Sequence, residues 1–286
     1  MSTAVHHPTP VRPVEPSDIP MLDWQGRPVD CGACPHQDLL GQPEPGGCAP
    51  GRSCMQDAYA RRIDRFFRTH PGLAREHLGH PYFEVRAIAA RHTDPFHLPA
   101  LIDDPDETVR MQVALRVPQR LLQTMTGDAH REVRIRVAQR IASEQLSRLL
   151  NDEDYEVRAT VARRLPLALL PLLMHDSDVQ VRCVVARRVE MPTLWRLVED
   201  PAPEVRRIVA ERLPAPLLAP LARDPEWLVR WEAAGRALGE VLQGLLDDDD
   251  AEVRLRASER LGELGELDEL KSGSPSAIPR INPFRS

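Results

Sequence analysis

The chain has 286 residues, 42% of them hydrophobic but only 4% aromatic, so a core must be built from Leu, Val and Ala. Its formal net charge is -6, from 43 acidic against 37 basic residues, and outside an acidic stretch at 241–270 the two signs balance, which argues against a general polyanion binder. The longest apolar run, 165–174, contains two prolines and is too short to span a bilayer.

Residues 1–22 are rich in Pro and His and lack an apolar h-region, which predicts a disordered tail and no secretory signal. The chain is accordingly expected to be cytoplasmic, with its cysteines outside disulfides and no membrane partner. His6 and His7, in this tail, are not expected to be ligands.

Residues 23–79 read as a cysteine-rich domain followed by a capping helix. Cys31, Cys34, Cys48 and Cys54 fall in the pattern C-x2-C-x13-C-x5-C, among Gly32, Pro35, Gly41, Gly46, Gly47, Pro50 and Gly51. Such a composition cannot form a packed core. It can wrap an inorganic centre, because tight turns aim backbone N–H groups at sulfur, so the four thiols predict a metal site. Zinc sites usually close with a second C-x2-C or a His pair. The wider second pair fits zinc less well and permits a cubane iron–sulfur cluster, and spacing alone leaves both open. His36 reads as a surface loop residue and Cys183 as a packing residue further on. In 55–68, Tyr59, Ile63, Phe66 and Phe67 make an apolar stripe, as in a degenerate first repeat that covers the end of a stack and begins with Cys54.

A Val-Arg dipeptide then recurs every 24 residues: Val85-Arg86, Val109-Arg110, Val133-Arg134, Val157-Arg158, Val181-Arg182, Val205-Arg206, Val229-Arg230 and Val253-Arg254. A single-core globule has no reason to keep such a period, whereas stacked identical repeats do. Each repeat is numbered here from its Val as zero. Asp at -5, in all but the first repeat (His80) and often followed by Pro, predicts an N-cap and first turn. Apolar residues at 0, +4, +5 and +8 share one helical face. Ala at +5 implies a crowded contact, and Pro118, Pro166 and Pro214 at +9 stop the helix. Leu at +13 and +16, with Pro99, Pro171 and Pro220 in the return segment, predicts a short 3-10 helix.

Arg at +1 in every repeat lies inside the apolar arc, and Arg at +7, replaced once by His92, lies on its edge. Charges at a packed interface need partners. The -5 aspartates and the helix-end carbonyls of adjacent repeats are the expected ones; the rival reading is an arginine face for nucleic acid. Residues 247–270 form an acidic last repeat, and 271–286 a polar, disordered tail.

The region 80–270 resembles the leucine-rich repeat variant family. The resemblance implies an all-α solenoid of eight 24-residue repeats, each an α-helix plus a short 3-10 helix, in a right-handed superhelix with a small N-terminal metal-cluster cap. The L-x-L strand of ordinary leucine-rich repeats is missing. All four cysteines match the cap of that family, which implies a [4Fe-4S] cluster on Cys31, Cys34, Cys48 and Cys54, with Zn2+ as the alternative. No nucleophile–base pair, phosphate-binding loop or radical-type cysteine motif appears, so no enzyme is expected. The expected function is an iron–sulfur protein with a helical-repeat scaffold for a protein partner, responsive to redox state or oxygen. The alternatives are a nucleic-acid-binding repeat protein and a zinc-capped scaffold.

Overall fold

The computed structural model describes residues 19–42 and 46–272. Of the tails expected at 1–22 and 271–286, residues 1–18, with His6 and His7, and 273–286 lie outside the described residues, whereas 271–272 belong to the last helix. The chain divides into two compact halves, Met1–Ala142 and Ser143–Ser286.

The first half opens with loops held by turns and by isolated bridges such as Leu22–Pro28 and Leu40–Cys48. Then come α1 (Ala60–Thr69), a 3-10 turn (Pro71–His77), α2 (Phe83–His92), a 3-10 helix (Pro95–Leu101) and α3 (Glu107–Arg116). A short α4 (Gln119–Leu122) runs into a 3-10 turn, and α5 (Arg131–Arg140) follows. The second half alternates 3-10 and α segments through α6 (Tyr155–Arg164), α7 (Val179–Arg188), α8 (Pro203–Arg212), α9 (Trp227–Ala234), α10 (Gly239–Leu245) and α11 (Ala251–Ser272). Among the described residues no helix is long and apolar enough to cross a membrane.

The repeat pattern explains where each helix starts and stops, with one correction. The -5 aspartate does not cap the helix. The N-cap stands two residues later, where Asp106, Asp154 and Asp178 accept main-chain N–H groups of the first turn. The -5 side chain instead closes an Asx turn onto the N–H of that residue, as Asp104 does for Asp106 and Asp176 for Asp178. The helix end is as expected: Pro at +9 forces the residue before it out of helical conformation, and Val117, Leu165 and Leu213 all have ψ near 140°.

In each half the core is built of small aliphatic side chains. Val157, Val161 and Leu165, at 0, +4 and +8, are fully buried, as are Leu170 and its counterpart Leu98 in the first half. Ala at +5 is completely inaccessible in Ala90, Ala114, Ala138, Ala162, Ala186, Ala210 and Ala234. The return segments depart from a uniform 3-10 rule. Pro inside 95–101 and 167–173 removes an N–H and excludes the α form there. Segments without Pro take either form, 3-10 at Ser143–Leu149 and α at Gln119–Leu122 and Gly239–Leu245. The last helix has Gly262 at +9, where three of the other repeats have Pro, and it continues to Ser272, past the expected boundary at 270.

In most repeats the arginines of both rows are engaged inside the fold. Arg86, Arg110, Arg158, Arg182, Arg206 and Arg230 each fork onto the -5 aspartate of the next repeat through Nε and Nη2. Their Nη1 atoms donate to the carbonyl at -5 of their own repeat, which is His80 for Arg86 and an aspartate for the others. The +7 arginines reach back instead. Arg116, Arg140, Arg188 and Arg212 each donate to two carbonyls at the C-terminal end of the preceding helix, for example Arg212 to Ala186 and Val189. A cation there satisfies acceptors the helix leaves open and meets the negative end of its dipole.

Candidate metal centre

The four clustered cysteines lie on consecutive turns ahead of α1. Asp30 folds the chain at the first pair by accepting the N–H of Gly32, and the N–H of Cys34 donates to the carbonyl of Cys31. A 3-10 turn, Gln37–Leu39, follows, and Cys48 returns beside it through a bond from its N–H to the Leu39 carbonyl at 3.0 Å. Gly47 is required here, since a Cβ would run into the main chain of Gln42. Gly51, at φ +81°, turns the chain between Ala49 and Ser53 into the left-handed region that favours glycine. The N–H of Cys54 donates to the Arg62 carbonyl in the first turns of α1. The helix expected over 55–68 begins only at Ala60, so Cys54 is tied to the capping helix without belonging to it.

All five cysteines are free thiols; Cys31, Cys34 and Cys48 are half-buried and Cys54 is buried. Burial, then the nearby Cys34 and Cys31, pushes the Cys48 thiol up. Burial pushes Cys54 up to about 11, against the N–H groups of Gln56 and Asp57 that point at its sulfur, with the Asp57 carboxylate and Cys34 adding to the rise. Cys48 is thus influenced by Cys34 and Cys31, and Cys54 by Cys34, and at Cys54 backbone N–H groups are aimed at sulfur as the loop composition predicts. Beside Cys54, the buried hydroxyl of Ser53 has no protein partner.

Among the described residues no group of three or more His, Cys, Asp or Glu side chains is arranged to hold a metal ion. A cubane takes one thiolate per iron. Four free thiols, N–H groups directed at sulfur and an orphaned hydroxyl suit such a group. Cys183 is buried in α7, far along the chain in the other half, in the packing place its register predicts.

Two features of the cap escape the repeat pattern. His36 is buried, not on the surface: its Nε2 lies 2.7 Å from Nε2 of His77, one donating to the other, and its ring packs on Phe66. Burial first, then the neighbouring His36 and His80, brings His77 down to about 4. Running the 24-residue register one repeat back puts His77 at +16, a Leu position elsewhere, so the histidine in a core slot was the available signal. The second feature is Arg62, at +1 of that degenerate repeat. Eighteen residues on stands His80 instead of Asp, and Arg62 pairs with buried Asp57 at 2.8 Å. It also donates to the carbonyls of Ile19 and Pro20, so the last residues of the expected N-terminal tail are part of the cap.

A family model described as "LRV protein FeS4 cluster" matches residues 21–76, and one described as "Leucine rich repeat variant" matches 83–106, 155–178 and 203–226. A solved structure described as a leucine-rich repeat variant with a novel repetitive protein structural motif is 45% identical, with a TM-score of 0.77 over 81% of this chain and 98% of that one. A Rhodobacter capsulatus protein, named as an uncharacterized 27.7 kDa protein in the nifB 3' region, is 54% identical over 97 residues. That match spans 34% of this chain and 38% of the length of the relative.

Proposed function

Because this chain belongs to the leucine-rich repeat variant family and binds an iron–sulfur cluster ahead of its helical repeats, we propose that it is a scaffold for a protein partner, with the cluster as a redox- or oxygen-responsive cap and no catalytic role. Cys31, Cys34, Cys48 and Cys54 would hold the cluster. A bound cluster supplies one-electron chemistry, at a potential set by hydrogen bonds to sulfur and by solvent exposure. The chain supports it with the N–H groups of Gln56 and Asp57 at Cys54 and with the buried hydroxyl of Ser53.

The observation that carries the scaffold reading is what the repeats leave exposed. The arginines that would grip a nucleic acid are engaged by aspartates and carbonyls, whereas large apolar side chains stand out from the return segments: Phe96 in the first half, and Leu167, Leu172 and Trp195 in the second. Exposed aromatic and aliphatic side chains of this kind serve as anchors for protein surfaces. The test is affinity capture from the native cell with the holoprotein and with Leu172→Glu/Trp195→Glu. A partner held by the first and lost by the second supports the reading. A salt-sensitive nucleic-acid gel shift unaffected by the double substitution would replace it with the nucleic-acid reading.

A further inference from the structure

The cap helix α1 exposes a line of positions that every later repeat buries. With the register run one repeat back, Arg61 and Arg65 stand at 0 and +4. All eight later repeats have Val or Ala there with no accessible surface, beginning with Val85 and Ala89. On α1 both arginines are exposed, and so is Arg68 at +7, which has no α-helix before it among the described residues whose carbonyls it could meet. The three lie within about 60° of the helical wheel. Arg65 Nη1 donates to the Arg52 carbonyl at 3.4 Å, which sets this ridge against the turn between Cys48 and Cys54. Among the described residues none of the three pairs with a carboxylate. Asp57 is held by Arg62, Asp64 by Arg91 and His92, and Asp23 by Arg27. Asp30 accepts the N–H of Gly32, and the exposed Asp38 and Glu76 stand on 3-10 turns outside α1.

Given a redox-responsive cluster, on which this inference rests, we propose that Arg61, Arg65 and Arg68 form the docking surface for an acidic one-electron carrier protein. The charges are complementary. On a chain of net charge -6, attraction for an acidic protein has to come from a local patch. Three guanidiniums on two turns of helix supply it and offer planar forks to carboxylates. Position selects a redox protein among acidic ones. The ridge borders the turn between two of the cluster thiols, and Cys31, Cys34 and Cys48 are only half-buried, so a protein seated on α1 comes close to the thiolates. Encounters between electron-transfer proteins are also small, under about 1,200 Å², which suits a patch of this size. Nucleic acid is the poorer fit, since three arginines neutralise few phosphates and the net charge repels a polyanion. In the transfer one electron leaves the carrier and enters the cluster, or the reverse; no bond is made or broken and no proton moves.

The test uses anaerobic full-length holoprotein and, as the probe, a flavodoxin, a small acidic flavin protein. Calorimetric binding of oxidised flavodoxin should weaken about tenfold or more from low to physiological salt. Arg61→Glu/Arg65→Glu/Arg68→Glu should abolish it, and the corresponding lysine triple should keep most of it. Arg120→Glu/Arg148→Glu/Arg187→Glu, an equal charge change at exposed sites on the repeats, should bind as the unmodified protein does. Stopped-flow transfer from reduced flavodoxin, followed by the flavin absorbance, should slow about tenfold in the α1 glutamate triple, while reduction by a neutral viologen stays the same. Binding and transfer indifferent to that triple would overturn the proposal. So would a slowing shared by the viologen with binding intact, which would make the arginines tuners of the cluster potential. Binding of duplex DNA in place of flavodoxin, lost in the same triple, would make nucleic acid the occupant. A cluster that neither reductant reduces would sink the redox reading itself and the docking proposal with it.

Discussion

Arg158 shows what a single residue does in this protein. Its Nε and Nη2 each donate to Asp176 at 2.8 Å and its Nη1 to the Asp152 carbonyl at 2.7 Å, with the two side chains only 12% and 5% exposed. Arg158→Ala should lower the unfolding free energy in urea titration by about 3 kcal/mol, because Asp176 is left desolvated and alone. Arg158→Lys should recover only part, since a point charge cannot make the fork. Unchanged stability with loss of an anionic partner would return the arginine row to a binding role. Burial would lift the Asp176 carboxyl, yet the hydrogen bonds from Arg158 and the Asp178 N–H and the charges of Arg158 and Arg182 hold it below 3.8. Its folded value is thus below its unfolded one, so the stability it contributes is present above about pH 3.8 and is lost as pH falls through the lower folded value.

Between neighbouring elements, the +5 alanine and the +7 arginine are two parts of one contact. The guanidinium of Arg212 approaches the Ala186 and Val189 carbonyls at 2.5 and 2.6 Å, and a larger side chain at 186 would stand in the packed interface between α7 and α8. Ala186→Leu should therefore destabilise by about 2–3 kcal/mol, whereas Arg187→Leu, on the exposed side of the same helix, should stay within about 0.5 kcal/mol. Equal effects of the two, measured by urea denaturation, would show that crowding does not explain the alanine. The first interface obeys the same logic through its exceptions. Phe66 stands where later repeats have Ala, and opposite it the +7 residue is His92, which turns to Asp64 at 3.0 Å. No arginine has to pass the bulky ring. Helix boundaries and both arginine rows were legible because Pro, Val and Arg recur at fixed offsets. The role of the -5 aspartate was misread because a turn and a cap favour the same residue types.

For the whole molecule, a stack in which repeats contact only their neighbours should fail locally. Met55, Ile63, Phe66, Phe67 and Ala74 of the cap share one core with Val85, Ile88 and Ala89 of α2, and Leu39 and Cys48 pack against it. Anaerobically prepared protein should contain about four irons and four sulfides per chain, and Cys54→Ser should lose them. Hydrogen exchange of that variant should then be accelerated over 30–100, with α7 and α8 as protected as before; uniform acceleration, or none, would refute a cap-coupled response. The sequence by itself determined whatever is repeated: the period, the aliphatic core positions and the Arg–Asp partnership. Each repeat restates its contacts at a constant spacing, so chemistry between neighbours can be read from the register; the four thiols, which occur once, were legible because they cluster among turns within 24 residues. Only the tertiary structure decided the contacts that occur once. The burial of His36 against His77 joins residues 41 apart, Arg62 finds Asp57 where the register offers a histidine, and α11 runs on to Ser272, past the +7 position where most repeat helices stop. Such contacts have no period, and the partner is set by which surface folding brings within hydrogen-bond reach.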